Sequence, residues 1–434
     1  MIERLAASLL HYKVRCPACQ TTFDDDGWLL ECPTPHEPAL LVTEYSAHQL
    51  MPDEHATGIA RYRSWLPTFR SLPEAGGIVT YQSGRLSAAL GLPHLWIAFS
   101  GYWPEQGATL ETATFKDLEA STVLAHLPEP RDRVLVVASA GNTAAAFANA
   151  CSRQRLSCLL IIPETGLPRM QFADALDPCV KIVSLVGFTD YYDAIRLANR
   201  VSRLEGFFSH GGVRNVAVRD GLGTALLNAT ETIGRLPDYY FQAIGSGTGA
   251  IAAHEVAKRL VRDGRFGHAL PRLMLSQNFP FVPMYLSWKA QQRELIPINE
   301  DDGKKQIRQI IAHVLSNQRP PYAVAGGVFD VLTESRGDIL VTDNFETLRA
   351  MALFEACEGI DIDPAAGVAL ATLSKAAANG QIDRNAIVLL HVTGGGWYQH
   401  GSRHRLIPVK PVLQIDEHEI ASENTLETIV KICG

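Results

Sequence analysis

Residues 239–249 have the sequence Tyr-Tyr-Phe-Gln-Ala-Ile-Gly-Ser-Gly-Thr-Gly, and the apolar, alanine-containing segment 250–261 follows them. The first six residues have the character of a buried strand, and the segment after the glycines has that of a helix. A glycine-rich turn between a strand and a helix gathers backbone N–H groups at the positive end of the helix dipole. The turn therefore predicts either a phosphate site or a tight turn without a ligand.

The same alternation of apolar runs and helices continues on both sides of this stretch. Apolar runs with the character of strands occupy residues 134–138, 159–163 and 386–392, a further strand is expected at 180–185, and helical patterns occupy 143–151 and 190–204. Fully apolar strands that alternate with helices are typical of parallel sheets covered on both faces. We therefore expect an α/β protein with doubly wound domains, although the pattern does not predict the strand order.

Length and composition narrow the function classes. A chain of 434 residues predicts about two to three domains. A net charge of −7 gives no general attraction to nucleic acid or to acidic membranes. No uncharged apolar run is long enough to span a membrane, and the first five residues do not resemble a signal peptide. The eight cysteines do not form a disulfide framework, so we expect a cytoplasmic protein.

A cysteine-rich segment near the N-terminus predicts a metal site. Cys16 and Cys19 form a C-x-x-C knuckle, and twelve residues separate it from Cys32, which His36 follows. Two ligands from a knuckle and two from downstream suit tetrahedral zinc. We expect a structural, zinc-ribbon-like unit over residues 1–45, with a metal-free knuckle as the alternative.

Three further positions could carry chemistry. Residues 139–143, Ser-Ala-Gly-Asn-Thr, form a second strand-to-helix turn that suits either a bound carboxylate or ordinary helix capping. Lys116 starts a helix, where the dipole disfavours a cation, yet a surface lysine is the ordinary interpretation. Thr393 and three glycines follow the last apolar run and predict either close approach of a flat ligand or a flexible turn.

Taken together, these segments resemble the fold-type II pyridoxal-phosphate (PLP) enzymes, which are tryptophan synthase β-like, over nearly the whole chain. The resemblance is closer to the cysteate synthases than to the threonine synthases. It rests on six segments: Arg-Tyr-Arg-Ser-Trp-Leu-Pro (61–67), Phe-Ser-Gly-Tyr-Trp-Pro-Glu (99–105), Thr-Phe-Lys-Asp-Leu-Glu-Ala (114–120), Ala-Ser-Ala-Gly-Asn-Thr (138–143), residues 240–249, and Pro-Phe-Val-Pro-Met-Tyr (280–285).

The resemblance implies a role for each segment. Lys116 would form the Schiff base with the cofactor, and Asn142 would bind the phenolic oxygen of the cofactor. Thr393 would face the pyridine nitrogen, although it departs from the small non-polar residue associated with cysteate synthases. One loop would hold the cofactor phosphate, and it consists of Gly245, Ser246, Gly247, Thr248 and Gly249. A second loop would hold the substrate carboxylate, and it consists of Ser139, Ala140, Gly141, Asn142 and Thr143.

The reaction implied by the resemblance is a β-replacement. O-phospho-L-serine and sulfite would give L-cysteate and phosphate through an aminoacrylate intermediate, with Lys116 as the base. The alternatives are a threonine synthase, which uses O-phospho-L-homoserine and water, and a phosphoserine enzyme with another nucleophile. A zinc-ribbon interaction protein without catalysis is a further alternative from a different class.

The small anions of this reaction need local donors because the chain is acidic overall. Arg61 and Arg63 would share one face of an extended strand and are the preferred candidates, ahead of Arg214 and Arg219. For the domains, we expect a large cofactor-binding domain over 46–120 and 225–434, and a small mobile domain over 121–224. Enzymes of this fold type are commonly dimers, so we expect a homodimer.

Overall fold

A computed structural model describes residues 11–72 and 76–434 of the chain. The expectation about a signal peptide concerns residues outside this part. None of the helices in the described ranges is long and apolar enough to cross a lipid bilayer.

The described strands are, in chain order, β1 (Tyr12–Arg15), β2 (Thr22–Phe23), β3 (Val42–Tyr45), β4 (Val79–Gln82), β5 (Leu95–Phe99), β6 (Tyr102–Trp103), β7 (Ala108–Thr109), β8 (Val134–Ala138), β9 (Cys158–Pro163), β10 (Gln171–Phe172), β11 (Val180–Val186), β12 (Phe207–Ser209), β13 (Tyr239–Ala243), β14 (Arg272–Asn278), β15 (Asp338–Thr342), β16 (Val388–Val392), β17 (Ile407–Pro408) and β18 (Leu413–Asp416). The α-helices are α1 (Arg85–Leu90), α2 (Lys116–His126), α3 (Asn142–Gln154), α4 (Tyr191–Val201), α5 (Val216–Ile233), α6 (Thr248–Asp263), α7 (Pro283–Lys289), α8 (Glu300–Ile307), α9 (Val328–Ser335), α10 (Asn344–Glu358), α11 (Pro364–Ala378), α12 (Trp397–Arg403) and α13 (Glu423–Cys433).

The larger sheet has six strands in the order β15-β14-β13-β16-β5-β4. Every neighbouring pair is parallel except the edge pair β4–β5. The central strand β16 is buried along its whole length, as a strand covered on both faces must be. The expected α/β architecture is confirmed, and the quoted stretch 239–249 supplies a central strand and the helix behind it.

The smaller sheet has five parallel strands in the order β12-β8-β9-β11-β18. Its edge strand β18 comes from the C-terminal segment, and Ile415 and Ile429 pack in one core with Leu185 and Val201. The expected division assigned all of 225–434 to the large domain, and this pairing corrects it. The C-terminal segment belongs with the smaller sheet because β18 covers the open edge of β11.

Helix α5 lies at the centre of the molecule and packs against α2 and α6. It is apolar on nearly all sides, and residues 216–227 are buried without interruption. A helix that is apolar all round belongs in a core rather than at a surface. The expected domain boundaries at 120 and 224 fall inside α2 and α5, so these two helices connect the sheets rather than separate them.

The N-terminal unit is a three-stranded antiparallel sheet in the order β2-β1-β3. The hydroxyls of Thr43 and Tyr45 both donate to Asp220 of α5 at 2.6 Å, and Arg259 of α6 pairs with the other oxygen of the same carboxylate. Because Asp220 is buried, this network fixes the unit firmly to α5 and α6.

Candidate active site and metal centre

One cleft brings together nearly all the predicted site residues. Lys116, the turn 139–143, the turn 245–249 and Thr393 line it, and it encloses about 750 Å³ including its open mouth. The two turns and Thr393 directly follow the carboxyl ends of the parallel strands β8, β13 and β16, or lie within one residue of them. Ligands in open α/β sheets bind at this edge. The cleft therefore has the position of a small-molecule site.

The turn 245–249 forms a backbone cradle at the start of α6. Gly247 has a φ of +81°, and a Cβ there would clash with the side chain of Val328. A Cβ on Gly245 would lie 2.9 Å from the carbonyl oxygen of Val314. The N-cap Gly247 supplies no side-chain hydrogen bond to the first turn of α6. The Ser246 hydroxyl accepts the N–H of Thr248 at 3.4 Å, and the remaining N–H groups at the N-terminus of α6 suit an anion, as the phosphate interpretation requires.

The turn 139–143 shows features of helix capping and also of ligand binding. The Ser139 hydroxyl accepts the N–H groups of Gly141 and Ala144 at 2.9 and 3.0 Å, which is a local capping role. The Asn142 side chain behaves differently, because its Oδ1 is buried and has no hydrogen-bond partner among the described residues. A buried polar atom without a partner is costly unless a ligand satisfies it.

Lys116 is not a surface lysine. Only 19% of its side chain is exposed, and its Nζ lies 2.7 Å from Oε2 of Glu119 one turn later. It also lies 4.9 Å from the centre of the Phe115 ring. The backbone N–H of Phe115 donates to the carbonyl of Thr393 at 3.0 Å, which fixes the start of α2 beside the end of β16. The amine is thus held at the centre of the cleft.

The glycine triplet after Thr393 packs against protein rather than against open space. A Cβ on Gly394 would lie 2.6 Å from the Asp363 carboxylate, and one on Gly396 would clash with the carbonyl of Tyr102. The neighbouring atoms leave no room for a Cβ at Gly394 or Gly396, which favours a closely packed turn over a flexible one. Thr393 itself is buried and lines the cleft.

A second space, which we call the outer chamber, adjoins the cleft and shares Lys116 and Tyr191 with it. Its basic side chains are Arg203, His210, Arg214 and Arg319. Of these, only Arg214 was a sequence candidate. Arg203 and Arg319 lie far apart in sequence and follow no spacing rule, so only the folded chain identifies them.

His210 presents a neutral donor to the outer chamber. Burial lowers the pKa of His210 to about 4, so its ring is neutral at pH 7. Its Nδ1 accepts the N–H of Gly212 at 3.3 Å, which leaves the proton on Nε2. That Nε2 is buried and has no partner in the described part of the chain. It can therefore donate to a bound ligand.

The structure corrects the placement of Arg61 and Arg63. They lie in a 3-10 helix, Gly58–Trp65, and not on an extended strand, so their two-residue spacing does not give them a common face. Arg61 donates through Nε to both oxygens of Glu231 at 3.1 Å, and Arg63 is exposed. Neither lines the cleft or the outer chamber. Arg219 is buried and pairs with Glu255 at 3.0 Å.

The predicted metal ligands form one cluster. The ligand atoms of Cys16, Cys19, Cys32 and His36 all lie within 4.8 Å of one another. The sulfurs of Cys19 and Cys32 are 3.6 Å apart, and zinc–sulfur bonds of about 2.3 Å at tetrahedral angles require a similar separation. Nδ1 of His36 bonds to the carbonyl of Glu37, which leaves Nε2 free for a metal. The cluster could hold zinc in a structural role.

Comparisons with known proteins agree with this geometry. The model of the family described as "Pyridoxal-phosphate dependent enzyme" matches residues 80–394. Among curated proteins, the cysteate synthase of Methanosarcina barkeri is 42% identical over 412 residues, which cover 95% of this chain and 98% of that protein. The cysteate synthase of Methanoculleus marisnigri is 44% identical and covers 93% of each chain.

Solved structures share the fold at low sequence identity. Maize serine racemase has a TM-score of 0.56 at 16% identity, covering 76% of this chain and 93% of its own. The processed form of threonine deaminase isoform 2 from Solanum lycopersicum has a TM-score of 0.57 at 15% identity, covering 82% and 88%. Since the family model spans most of the chain and the cysteate synthases match nearly its full length, the chain belongs to the pyridoxal-phosphate dependent enzymes and, among them, to the family of the cysteate synthases.

Proposed function

We propose that this chain converts O-phospho-L-serine and sulfite to L-cysteate and phosphate. The similarity to cysteate synthases over nearly the whole length supports this reaction. The structural observation that carries the proposal is the position of Lys116, whose amine lies in one cleft with two glycine turns that each lead into the N-terminus of a helix. One turn suits a phosphate, the other a carboxylate, and the amine between them suits covalent catalysis.

The residues of the cleft fit pyridoxal phosphate. Lys116 would form the covalent bond to it, and the N–H groups of residues 245–249 would bind its phosphate. The side-chain N–H of Asn142 would donate to its phenolic oxygen, and the Thr393 hydroxyl would face its ring nitrogen. An uncharged partner at the ring nitrogen suits eliminations and β-replacements better than transamination.

The chain's own groups then carry out three tasks. The backbone amides of residues 139–143 hold the substrate carboxylate at the N-terminus of α3. Lys116 removes the proton from Cα and later returns one to the same atom. The bound cofactor supplies an electron-withdrawing ring for the electron pair released at Cα. The buried walls of the cleft keep bulk water from the reacting carbon.

The anions of the reaction are assigned to the outer chamber rather than to Arg61 and Arg63. Arg203 and Arg319 line it and make no salt bridge with any residue that the structure describes. Together with the Nε2–H of His210, they would bind the departing phosphate and the entering sulfite. Local donors are required because the chain has a net charge of −7.

Product analysis of the purified holoenzyme tests this function. With O-phospho-L-serine and sulfite, L-cysteate and phosphate should form in equal amounts, and omission of sulfite should abolish L-cysteate. Threonine from O-phospho-L-homoserine and water, without L-cysteate, would favour the threonine synthase alternative. If a product forms from O-phospho-L-serine only when a nucleophile other than sulfite is supplied, the chain is a phosphoserine enzyme that uses that other nucleophile.

We further propose that the chain acts as a homodimer in the cytoplasm, on small molecules and not on nucleic acid. All eight cysteines have free thiols, which suits a reducing compartment. Light scattering of the purified holoenzyme should give twice the chain mass of 47.4 kDa. A monomer mass would contradict the dimer without affecting the proposed reaction.

A further inference from the structure

Glu119 is a buried carboxylate to which the reaction assigns no role. It lies on the same face of α2 as Lys116, one turn further along, and only 1% of it is exposed. Its Oε2 accepts from Nζ of Lys116 at 2.7 Å, whereas its Oε1 is buried and has no partner in the described residues. Burial of a carboxylate with one free oxygen is costly. The free oxygen beside the catalytic amine points to a role for Glu119 beyond structure.

The groups around Glu119 leave Lys116 as its counter-ion. Tyr191 of α4 faces it, and burial, followed by the charge of Glu119, raises the pKa of that phenol to about 12. His210 lies within electrostatic range of both Glu119 and Lys116 and is neutral at pH 7. Arg203, Arg214 and Arg319 line the same outer chamber. No side chain other than Lys116 donates to Glu119 in the part of the chain that the structure describes.

We propose that Glu119 is the positioning residue of the catalytic amine: it stabilises positive charge on the Lys116 nitrogen in the holoenzyme, and it binds the ammonium group of Lys116 whenever the amine is released from the cofactor. The proposal rests on the proposed function, because only a reaction that frees Lys116 needs such a site. Glu119 acts through Lys116 in this role, although it also lines the outer chamber.

The carboxylate has a defined effect on proton transfer. When the free amine of Lys116 takes the Cα proton, a positive charge forms on Nζ, 2.7 Å from Glu119. A carboxylate at this distance stabilises the ammonium group through a charge-assisted hydrogen bond. The proton then passes from Nζ back to Cα. The same hydrogen bond keeps Nζ close to the reacting carbon between the two transfers.

The first test is a pH titration of the visible absorbance of the holoenzyme without substrate. Glu119 stabilises positive charge on the Lys116 nitrogen, so Glu119→Gln should lower the pH midpoint by about one unit or more. Glu231→Gln is the matched control, because it removes a carboxylate from the Arg61 ion pair, away from the cleft. The pH midpoint of the Glu231→Gln variant should equal that of the wild type. An unchanged midpoint in Glu119→Gln would overturn the proposal.

The second test measures proton transfer itself, by NMR, as exchange of the Cα proton of L-cysteate in D₂O. Glu119→Gln should slow the exchange by about 10- to 100-fold, the loss expected for one charge-assisted hydrogen bond. In the full reaction, kcat should fall by a factor similar to that of the exchange rate, while KM changes little. Glu119→Asp, which keeps the charge, should recover part of both the rate and the midpoint, and it serves if Glu119→Gln does not fold.

The two tests separate this proposal from the proposed function. If the wild-type enzyme neither forms L-cysteate nor exchanges the Cα proton of L-cysteate, the proposed reaction is wrong. The pH midpoint of the absorbance change then still decides the role of Glu119. If the wild type is active and Glu119→Gln exchanges protons at the wild-type rate, the role of Glu119 is wrong and the reaction stands.

Discussion

Lys116 and Glu119 show how burial changes the meaning of single residues. A lysine followed three residues later by a glutamate is ordinarily an exposed ion pair on a helix surface, worth a few tenths of a kcal/mol. Here the carboxylate is buried and the amine lines a cleft between two glycine turns. The sequence places the two residues one helical turn apart, but it does not predict the burial of Glu119, because this burial depends on residues that are distant in sequence, such as Tyr191 and His210.

At the same scale, the outer chamber predicts which arginines bind anions. Replacement of Arg203 or Arg319 by Leu should raise KM for O-phospho-L-serine or sulfite by about 10- to 100-fold, because each loses a charge-assisted contact to an anion. Steady-state kinetics with each substrate varied in turn measures this. Arg61→Leu is the control, since Arg61 pairs with Glu231, and it should leave both KM values unchanged. If Arg61→Leu raises KM and the substitutions of Arg203 and Arg319 do not, the result would support the original expectation that Arg61 binds the anions.

Among the elements, the turn 245–249 depends on Gly247 for the shape of its cradle. Gly247→Ala places a Cβ at a φ of +81° and against Val328, so the turn must shift and the phosphate contacts must weaken. Equilibrium dialysis should show cofactor affinity lower by at least about tenfold.

Gly234 provides the matched control for this substitution. It has a similar φ of +83° at the C-terminus of α5, but a Cβ there would meet no atom within 4 Å. Gly234→Ala should cost about 1 kcal/mol of unfolding free energy and leave cofactor affinity intact. Equal loss of affinity in both variants would mean that backbone strain, and not the cradle, explains the result.

The N-terminal sheet is an element whose stability should depend on metal. Cys19→Ser should remove bound zinc, measured by mass spectrometry of metal content, and expose residues 12–45 to protease. Cys179→Ser, which changes a thiol outside the cluster, should keep one zinc per chain. A wild-type protein without zinc and with a protease-resistant N-terminal sheet would favour the metal-free knuckle.

For the whole molecule, the connection of the two sheets through α2 and α5 bears on domain movement. We propose that the smaller unit, now taken to include β18 and α13, closes over the substrate. Limited proteolysis of the holoenzyme should then cut 121–224 more slowly with O-phospho-L-serine than with its D-enantiomer. Equal cleavage under both conditions would contradict closure.

The sequence predicted the parallel strands, both glycine turns, Lys116 and the metal ligands, because each has a local signature of apolar runs, glycines or ligand spacing. It did not predict that Arg61 and Arg63 lie in a 3-10 helix, since a two-residue spacing fits several backbone conformations. Nor did it predict that β18 completes the smaller sheet, because strand order over a gap of more than 200 residues has no local signal.

The central claim is that Lys116 holds the cofactor between the two glycine turns. The most direct test is reduction of the holoenzyme with borohydride, followed by digestion and peptide mass mapping. The account predicts a pyridoxyl group on the peptide that contains Lys116, and loss of this adduct when O-phospho-L-serine is added before reduction. An adduct on a different lysine, with Lys116 unmodified, would contradict it.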